Sequence, residues 1–363
     1  MHQNLVRLLF FVFSCLFSQQ VASLEHETEM GRHNSIVQVD SDTYALAYSD
    51  ENEKGWIATF TISSNGSSIT EIASLKHNNS QGLYNSLVQV DSDTYLLAYT
   101  GPDNDGFISS FTISSDGTSI TEIAQLEHQT SHAEYNSLVQ VDSDTYALAY
   151  SGPNIDGFIT TFTVPTNGSS ITEVATIEHN TSDASYNSLI QVDSDTYVLA
   201  YSGTNEDGFI ATFTISSNGA TITEVDEIEH DTDKGRHNSI VQIDSDTYTL
   251  AYEGLNSDGF IKTFSVQSDG TLPVELTSFE LLETRNDGIT LQWVTESEIN
   301  NLGFNLDRKT PITDWSQIAS YVTHPSLQGQ GSVSHQTIYT FTDNTVQENE
   351  SYDYRLSDVD YNG

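Results

Sequence analysis

Apolar and polar residues alternate over short stretches through most of the chain. Between Ser86 and Tyr99, "SLVQV" and "YLLAY" are rich in β-branched and aromatic residues, and the polar sequence "DSDT" between them is typical of a turn. "GFISSFTI" and "SITEIAQLEH" follow, joined by "SSDG", whose glycine accepts the positive φ of a tight hairpin. No part of this region keeps a helical period. The pattern therefore predicts four consecutive antiparallel strands.

This four-strand unit occurs five times at a fixed spacing of 51 residues, without insertions. Four antiparallel strands in about 40 to 50 residues are typical of a β-propeller blade. A β-solenoid coil is shorter, and each domain of a tandem sandwich needs about seven strands. The sequence therefore predicts an all-β protein with a five-bladed β-propeller over residues 24–271. Equivalent residues that mark the five copies are Asn34, Asn85, Asn136, Asn187 and Asn238.

The two ends of the repeat region are complementary. "LEH" at Leu24 to His26 matches the end of the fourth strand in later copies, whereas the fifth copy stops at Gly270, before a fourth strand of its own. This arrangement predicts that the N-terminal segment supplies the missing strand and closes the ring. The sequence "TLPVELTSFE" after Gly270 is an alternative candidate for the same place.

Residues 1–23 have the pattern of a secretory signal peptide, with a basic start, the apolar run "LLFFVFSCLF" and small residues before a cleavage site after Ser23. Cys15, the only cysteine, lies in this segment, so the secreted protein is expected to contain no disulfide. No second apolar stretch could span a bilayer. We expect a secreted or cell-surface protein.

The chain is strongly acidic, with 52 Asp and Glu against 11 Lys and Arg and a formal net charge of -41. This charge argues against nucleic acid as a partner. Between Lys76 and Lys234 there is no Lys or Arg, so the carboxylates there need water, salt or divalent cations. We interpret the acidity as solubility in saline water; calcium is kept open as a cofactor, and no other cofactor is expected.

The sequence after Leu272 does not follow the repeat. "LPVELTSFELLETRNDGITLQWVTESEINNLGFNLDRK", "DWSQIASY", "YTFTDNTV" and "YDYRLSDVDYNG" resemble the fibronectin type III-like domain near the C-terminus of large secreted proteins in bacteria with the type IX secretion pathway. The resemblance implies a β-sandwich over residues 272–363, delivery by that pathway, and a last strand beyond "DYNG". It also implies that Trp293 is a core residue between two sheets, that Tyr352 and Tyr354 belong to a late strand, and that "ESEINNLGF" joins two strands.

Candidate functional residues recur on one face of the predicted propeller, where the connections between strands two and three and between successive blades meet. Aromatic rings beside amides and acidic loops could hold a sugar by stacking and hydrogen bonds. Histidine and asparagine at these positions could instead satisfy backbone groups, and we expect "DSDT" to form turns and Tyr95 and Tyr99 to pack the blades. The candidate ligand-binding residues are His77, His128, His179, His230, Tyr84, Tyr135, Tyr186, Asn85, Asn136, Asn187, Asp105, Asp156 and Asp207.

Several functions are compatible with these residues. Because the carboxylates recur in every copy, no unique acid and base pair is evident, which favours a binding or adhesion protein over an enzyme. We expect a monomer that binds glycans or surface polymers through several equivalent weak sites. The alternatives are a propeller glycoside hydrolase and a structural scaffold.

Overall fold

The structure is a computed structural model that describes residues 20–267, 270–272, 275–285, 288–333, 336–347 and 350–360. These residues form β-strands and short 3-10 turns, and they contain no α-helix, as the alternating pattern predicts. No helix in this described part is long and apolar enough to cross a membrane. Most of the predicted signal peptide lies outside the described residues.

The first four copies of the repeat each form one antiparallel sheet of four strands, named sheets 1 to 4 in chain order. The strands of each sheet pair in sequence order, so every connection is a hairpin between neighbours. Sheet 1 comprises β1 (Arg32–Gln38), β2 (Thr43–Ser49), β3 (Gly55–Ile62) and β4 (Ile69–Asn78). Sheet 2 comprises β5 (Leu83–Gln89), β6 (Thr94–Thr100), β7 (Gly106–Ile113) and β8 (Ile120–Gln129).

Sheets 3 and 4 repeat this arrangement, whereas the fifth copy forms a sheet of three strands among the described residues. Sheet 3 comprises β9 (Glu134–Asp142), β10 (Thr145–Ser151), β11 (Gly157–Thr163) and β12 (Thr172–Asn180). Sheet 4 comprises β13 (Ser185–Gln191), β14 (Thr196–Ser202), β15 (Gly208–Ile215) and β16 (Ile222–Asp231). Sheet 5 comprises β17 (Arg236–Gln242), β18 (Thr247–Glu253) and β19 (Gly259–Ser265).

Each central strand is apolar on both faces because it lies between two neighbouring sheets. In β6, Tyr95, Leu97 and Tyr99 pack against sheet 1, whereas Leu96 and Ala98 pack against sheet 3. All five side chains are fully buried, which explains why "YLLAY" is a continuous apolar run. The prediction that Tyr95 and Tyr99 pack the blades is confirmed.

The "DSDT" sequence forms the predicted turn between the first two strands. In sheet 2, the Val90 and Asp91 amides both donate to the Thr94 carbonyl, at 2.8 and 3.2 Å. The Ser92 amide also donates to the Asp91 carboxylate at 2.6 Å. The aspartates of this segment therefore stabilise local backbone, as Asx turns do. Binding of calcium there stays a prediction.

The five sheets form an arc in which each sheet packs on the next, but sheets 5 and 1 do not form a fifth junction of this kind. Ile261 of sheet 5 is 77% exposed, whereas its equivalent Ile57 is fully buried against sheet 2. Among the described residues, the segment Leu24 to His26 does not pair with β19 either. The predicted closure of the ring by this segment is thus not what the structure shows.

The other candidate for the missing strand also lies elsewhere. The sequence after Gly270 leads into β20 (Glu275–Arg285), which pairs with the C-terminal unit and not with β19. Leu272 is buried between sheets 4 and 5, where its amide donates to the Asp226 carboxylate at 3.1 Å. Sheet 5 therefore keeps a free edge among the described residues.

The C-terminal unit is a second all-β structure built around one long strand. β20 and β24 pair with the first half of β21, and β22, β23 and β25 pair with its second half. Trp293 is fully buried among Phe304, Tyr339 and neighbouring apolar side chains, so its predicted core role is confirmed. The strands are β21 (Gly288–Lys309), β22 (Ser316–Ser320), β23 (Gln328–Val333), β24 (Thr337–Asp343) and β25 (Asp353–Asp360).

The segment "ESEINNLGF" lies inside β21 and does not join two strands as expected. It carries the chain from one set of partner strands to the other around Glu298, whose side chain is fully buried. The Glu298 carboxylate accepts hydrogen bonds from Thr295, Asn301 and Tyr339. These bonds satisfy the buried charge and fix the crossing point. Tyr354 lies in β25 and Tyr352 precedes it.

The glycine that opens each third strand provides a test of packing at the sheet edges. A Cβ on Gly106 would lie 2.6 Å from both the His128 ring and the Ala133 Cβ, whereas a Cβ on the equivalent Gly259 would meet nothing within 4 Å. We expect Gly106→Ala to lower the free energy of unfolding by about 1–3 kcal/mol. Gly259→Ala is the matched control, and at a protein concentration at which the chain is monomeric it should change the free energy of unfolding by less than about 0.5 kcal/mol. Urea denaturation measures both, and equal losses would contradict the packing described here.

Candidate functional site

Five aromatic rings follow one another around the inner side of the arc, at the start of the first strand of each sheet. Successive ring centroids are 4.3 to 4.5 Å apart, and the ring planes are tilted by 49 to 58°. We call this set the aromatic arc. Its members are His33, Tyr84, Tyr135, Tyr186 and His237.

Each member of the aromatic arc has a left-handed backbone. The φ angles lie between 48 and 55°, a range that residues other than glycine rarely adopt. At this point the pairing with the second strand shifts register, as in sheet 2 between Leu83 and Ser86. The irregularity turns the ring away from the sheet and towards its neighbours. Left-handed conformations in large residues cost about 1 kcal/mol or more, and such strain is often retained at functional sites.

An asparagine follows each ring, and in sheets 2 to 5 it donates a hydrogen bond to the backbone of the preceding sheet. The Asn85 side-chain amide donates to the His33 carbonyl at 3.2 Å and to the Gly82 carbonyl at 3.1 Å. Asn136 donates in the same way to the Tyr84 carbonyl at 3.2 Å, and Asn187 to the Tyr135 carbonyl at 3.3 Å. The predicted alternative for these asparagines, satisfaction of backbone groups, is therefore what their amides do.

The rings and asparagines line one depression of about 320 Å³. This volume is in the range of small-molecule sites. The three tyrosines are half-buried, so part of each ring remains accessible. Because neighbouring rings are in contact, Tyr84, Tyr135 and Tyr186 belong to one shared depression and not to separate sites on separate blades.

The pKa values of the Tyr84 and Tyr135 hydroxyls are raised in this environment. Burial, together with the neighbouring hydroxyls of Tyr84 and Tyr186, raises the pKa of Tyr135. Burial also raises the pKa of Tyr84, and burial and the nearby Arg32 guanidinium lower the pKa of His33. At neutral pH the Tyr84 and Tyr135 phenols are therefore protonated, and the His33 imidazole is neutral.

The end of the depression at sheet 5 carries several ionic groups. His237 is 63% exposed, and its Nε2 lies 3.6 Å from the Glu253 carboxylate. Lys234 forms an ion pair with Glu253, and this contact lowers the pKa of that carboxyl. Arg236 pairs with Glu206, and its guanidinium lies 6.0 Å from the centre of the Tyr186 ring. An accessible imidazole next to a carboxylate thus borders the tyrosines.

The predicted histidines lie elsewhere and are corrected here. Each ring fits between an aromatic pair of the next sheet; that of His128 is 5.1 Å from Tyr150 and 5.6 Å from Phe162. Both ring nitrogens are buried and have no hydrogen-bond partner among the described residues. These side chains pack junctions and cannot contact a ligand at the surface. They are His77, His128, His179 and His230.

The predicted aspartates also lie outside the lining of the depression. Each closes the turn between the second and third strands, where the Asp105 carbonyl accepts the Gly101 amide at 2.8 Å. Asp156 and Asp207 repeat this contact with Gly152 and Gly203, both at 2.8 Å. These backbone contacts shape the loop, and the first copy forms the same contact with the Lys54 carbonyl. Of the predicted residues, the structure brings together the tyrosines and asparagines alone.

The sequence shows that His33 and His237 replace the tyrosines in the first and last copies, but sequence reasoning gave these differences no role. All six Lys and Arg residues of the repeat region lie in or next to these two copies, and "GRHN" stands in both where the internal copies have "GLYN", "AEYN" and "ASYN". This departure from the repeat was the available signal for His237 and Glu253. No group of three or more His, Cys, Asp or Glu that could hold a metal occurs in the part of the chain that the structure describes.

Comparisons with known proteins support the fold. No protein-family model matches the sequence, and no curated protein matches it. The periplasmic gluconolactonase PpgL of Pseudomonas aeruginosa is similar in structure, with a TM-score of 0.52, 12% identity, and 84% of this chain and 87% of that chain covered. A proposed 6-phosphogluconolactonase of Bacteroides fragilis has a TM-score of 0.51, 11% identity, and coverage of 84% and 86%.

A third solved structure, a proposed 6-phosphogluconolactonase of Bacteroides uniformis, has a TM-score of 0.50, 10% identity, and coverage of 84% and 87%. At this identity the likeness shows the fold, which is of the β-propeller type found in these lactonases. The expectation that the protein is not an enzyme was wrong on this comparison, because the solved structures that share its fold include hydrolytic enzymes.

Proposed function

We propose that the protein is a hydrolase of sugar-derived lactones, with the aromatic arc as its substrate site. The observation that carries this proposal is the accessible imidazole of His237, held beside the Glu253 carboxylate and in ring contact with Tyr186 at 4.5 Å. The similarity in fold to gluconolactonases supports the reaction class. This proposal keeps a carbohydrate as the predicted partner. It replaces the several weak sites expected from the sequence with one site.

The tyrosines suit a sugar ring. Aromatic faces stack on the apolar C–H groups of a pyranose, and protonated phenols donate to its hydroxyl and carbonyl oxygens. Because the raised pKa keeps the Tyr135 phenol protonated, it remains a donor throughout the neutral pH range. A depression of about 320 Å³ accommodates one monosaccharide-sized ligand.

His237 is the proposed general base, and Glu253 is the residue that orients it. The imidazole takes a proton from water, and the water oxygen forms a bond to the lactone carbonyl carbon. The bond from that carbon to the ring oxygen then breaks, and the proton returns from the imidazolium to the departing oxygen. The products are one carboxylic acid and one hydroxyl group, and one water is consumed.

The local charge favours this reaction over glycoside hydrolysis. Glycosidases need two carboxyl groups on either side of the bond that is cleaved, about 5 to 10 Å apart. The described lining of the depression contains histidine, tyrosine and asparagine and no carboxylate. Lys234 and Arg236 stand at its edge and stabilise the negative charge that develops on the carbonyl oxygen. The glycoside hydrolase alternative lacks this kind of support.

The secreted or cell-surface location, the fibronectin type III-like nature of the C-terminal unit and delivery by the type IX pathway remain proposals that accompany this function. A secreted hydrolase would meet sugar lactones outside the cell.

The experiment is a pH-stat assay of the purified protein with D-glucono-1,5-lactone, corrected for spontaneous hydrolysis. We expect saturable acid release that exceeds the spontaneous rate, with no release of nitrophenol from aryl glycosides. A rate equal to the spontaneous one with several aldonolactones would contradict the proposal. Release of nitrophenol instead would favour a glycosidase.

Substitution of Tyr135 separates a binding role from a packing role. Tyr135→Gly and Tyr135→Ala both remove the ring, and we expect each to lower kcat/KM by about tenfold or more. The φ of 53° is unstrained for glycine but strained for alanine, so the glycine variant should be about 1 kcal/mol more stable than the alanine variant. Full activity in both variants would show that the ring does not contact the substrate.

A further inference from the structure

We infer that sheet 5 of one molecule binds sheet 1 of a second copy, so that the chain associates head to tail. This inference rests on the packing of the repeats and is independent of the proposed function. It replaces the expectation of a monomer.

The outer face of sheet 5 is an apolar surface without a neighbour. Val241, Ile243 and Ile261 are 54, 60 and 77% exposed, although the C-terminal unit is present in the chain. The equivalent residues of sheet 1, Val39 and Ile57, are 8 and 0% exposed because sheet 2 covers them. This face is therefore the same surface that every other sheet buries against its successor.

The opposite face of sheet 1 is the matching surface. Ile36 is 60% exposed, whereas its equivalents Leu87, Leu138, Leu189 and Ile240 are 3 to 4% exposed. Those four side chains fill the junctions between successive sheets. A second copy that brings Ile36 to sheet 5 would reproduce a junction that the chain already forms four times.

Polar groups at the two faces are complementary in the same way. At an internal junction, the Asn85 amide donates to the His33 carbonyl, the Leu87 amide donates to the Ser35 hydroxyl at 2.9 Å, and the Thr59 hydroxyl donates to the Gly117 carbonyl at 2.7 Å.

The terminal equivalents of these groups lack such contacts. The equivalents Asn34, Ser239 and Thr263 do not form these junction contacts with another described residue. In the proposed contact, Asn34 of one copy meets the His237 carbonyl of the other, and the Ile36 amide meets Ser239. The aromatic arc then continues from His237 of one copy to His33 of the other.

The segment around His26 of the second copy can also cover the free edge of sheet 5. Nothing lies within 4 Å of the position where a Cβ on Gly259 would stand, whereas the equivalent position at Gly55 is 2.3 Å from the His77 ring. His26 is the residue equivalent to His77, and it already packs on Tyr48 of its own chain at 4.8 Å. It can therefore approach Gly259 of a neighbouring copy without leaving Tyr48.

Charges favour the same contact. In the junction between sheets 4 and 5, Arg236 pairs with Glu206 of the preceding turn. Its equivalent Arg32 is exposed at the start of sheet 1. In the proposed contact Arg32 faces the turn that carries Asp258, next to Glu253, at the end of sheet 5. One chain exposes both complementary faces. A second copy of the chain is therefore the partner that can cover the sheet 5 face and the sheet 1 face alike.

The test is sedimentation velocity of the purified full-length protein from about 1 to 100 µM. We expect the weight-average mass to rise above that of one chain. Ile261→Asp blocks the sheet 5 face and Ile36→Asp blocks the sheet 1 face, and each should weaken association at least about 100-fold because an aspartate would be buried without a partner. Ile155→Asp is the matched control, since Ile155 is 43% exposed on a turn outside both faces.

A mixture of the two blocked variants determines the arrangement. Ile36→Asp keeps an intact sheet 5 and Ile261→Asp keeps an intact sheet 1, so an equimolar mixture should form dimers and nothing larger. A wild-type protein that stays monomeric throughout, either blocked variant dimerising alone, or a mixture that stays monomeric would each overturn the inference. A monomer in which cross-linking joins the two faces of one chain would show closure within the chain and overturn it as well.

Discussion

The repeat sheets are expected to unfold when the pH is lowered from about 7.5 to about 4.5, because the four junction histidines must remain neutral in the fold. Burial lowers the pKa of His77 to about 3 and the pKa values of His128, His179 and His230 to about 4. In the unfolded chain each returns to a value near 6.5. Protons therefore bind the unfolded chain first.

The sign of the effect follows from linkage. A base with a lowered pKa in the fold contributes stability above about pH 6.5, and this contribution is lost as the pH falls towards the folded value. At about pH 4.5, where the unfolded histidines are protonated and the folded ones are largely neutral, the lost stability is about 2.5 kcal/mol for each histidine and roughly 10 kcal/mol for the four together. This is as large as the whole stability of a typical domain. Carboxyls with a raised pKa act in the opposite direction, since burial raises the pKa of Glu224 to about 7 and also raises the pKa of Asp207.

The double variant His128→Leu with His179→Leu tests the cause. These ring nitrogens make no hydrogen bond among the described residues, so apolar replacement leaves no buried group unpaired. Between about pH 6 and 4.5 the slope of unfolding free energy against pH should be about 2.7 kcal/mol per unit smaller than in the wild type, equal to two protons. Urea denaturation at several pH values measures it, and identical slopes would mean that the junction histidines are not the acid-sensitive groups.

His237→Gln is expected to lower kcat/KM for lactone hydrolysis by about 100-fold or more, because general-base catalysis typically contributes two to four orders of magnitude. His237 is 63% exposed, so its replacement should change the free energy of unfolding by less than about 0.5 kcal/mol. Loss of activity in a stable protein would therefore report on the reaction and not on folding.

The control is a second, partly buried pair of histidine and glutamate. The His132 and Glu134 side chains are 3.8 Å apart, and neither lines the depression, although Glu134 lies near the Tyr84 hydroxyl. His132→Gln should keep full activity. Equal activity of His237→Gln and His132→Gln would remove His237 from the proposed mechanism.

The repeat sheets could be predicted well from the sequence, because alternation and a constant spacing act locally. The run "YLLAY" and the turn "DSDT" each determine their own backbone, and the structure follows them closely. The same spacing could not tell whether sheet 5 meets sheet 1, since closure depends on the angle between successive sheets. That angle arises from side-chain packing along the whole arc.

The candidate site was predicted in part for a similar reason. The repeat identifies which positions are equivalent, but it does not show which of them are exposed. The buried His128 and the accessible Tyr135 therefore looked equally suitable as ligand-binding residues. The tilt of each ring depends on a left-handed residue that follows a register shift, which no local propensity predicts. His237 and Glu253 are 16 positions apart and meet only because β17 pairs with β18.

Titration calorimetry with D-gluconate, the product of the proposed reaction, tests the central claim most directly. Because the three tyrosines line one depression, we predict one molecule bound per chain, with binding lost in Tyr135→Gly and kept in His132→Gln. A stoichiometry of four or five per chain would mean that each sheet carries its own site. Binding that persists in Tyr135→Gly, or no binding at any concentration, would contradict the assignment of the aromatic arc as the substrate site.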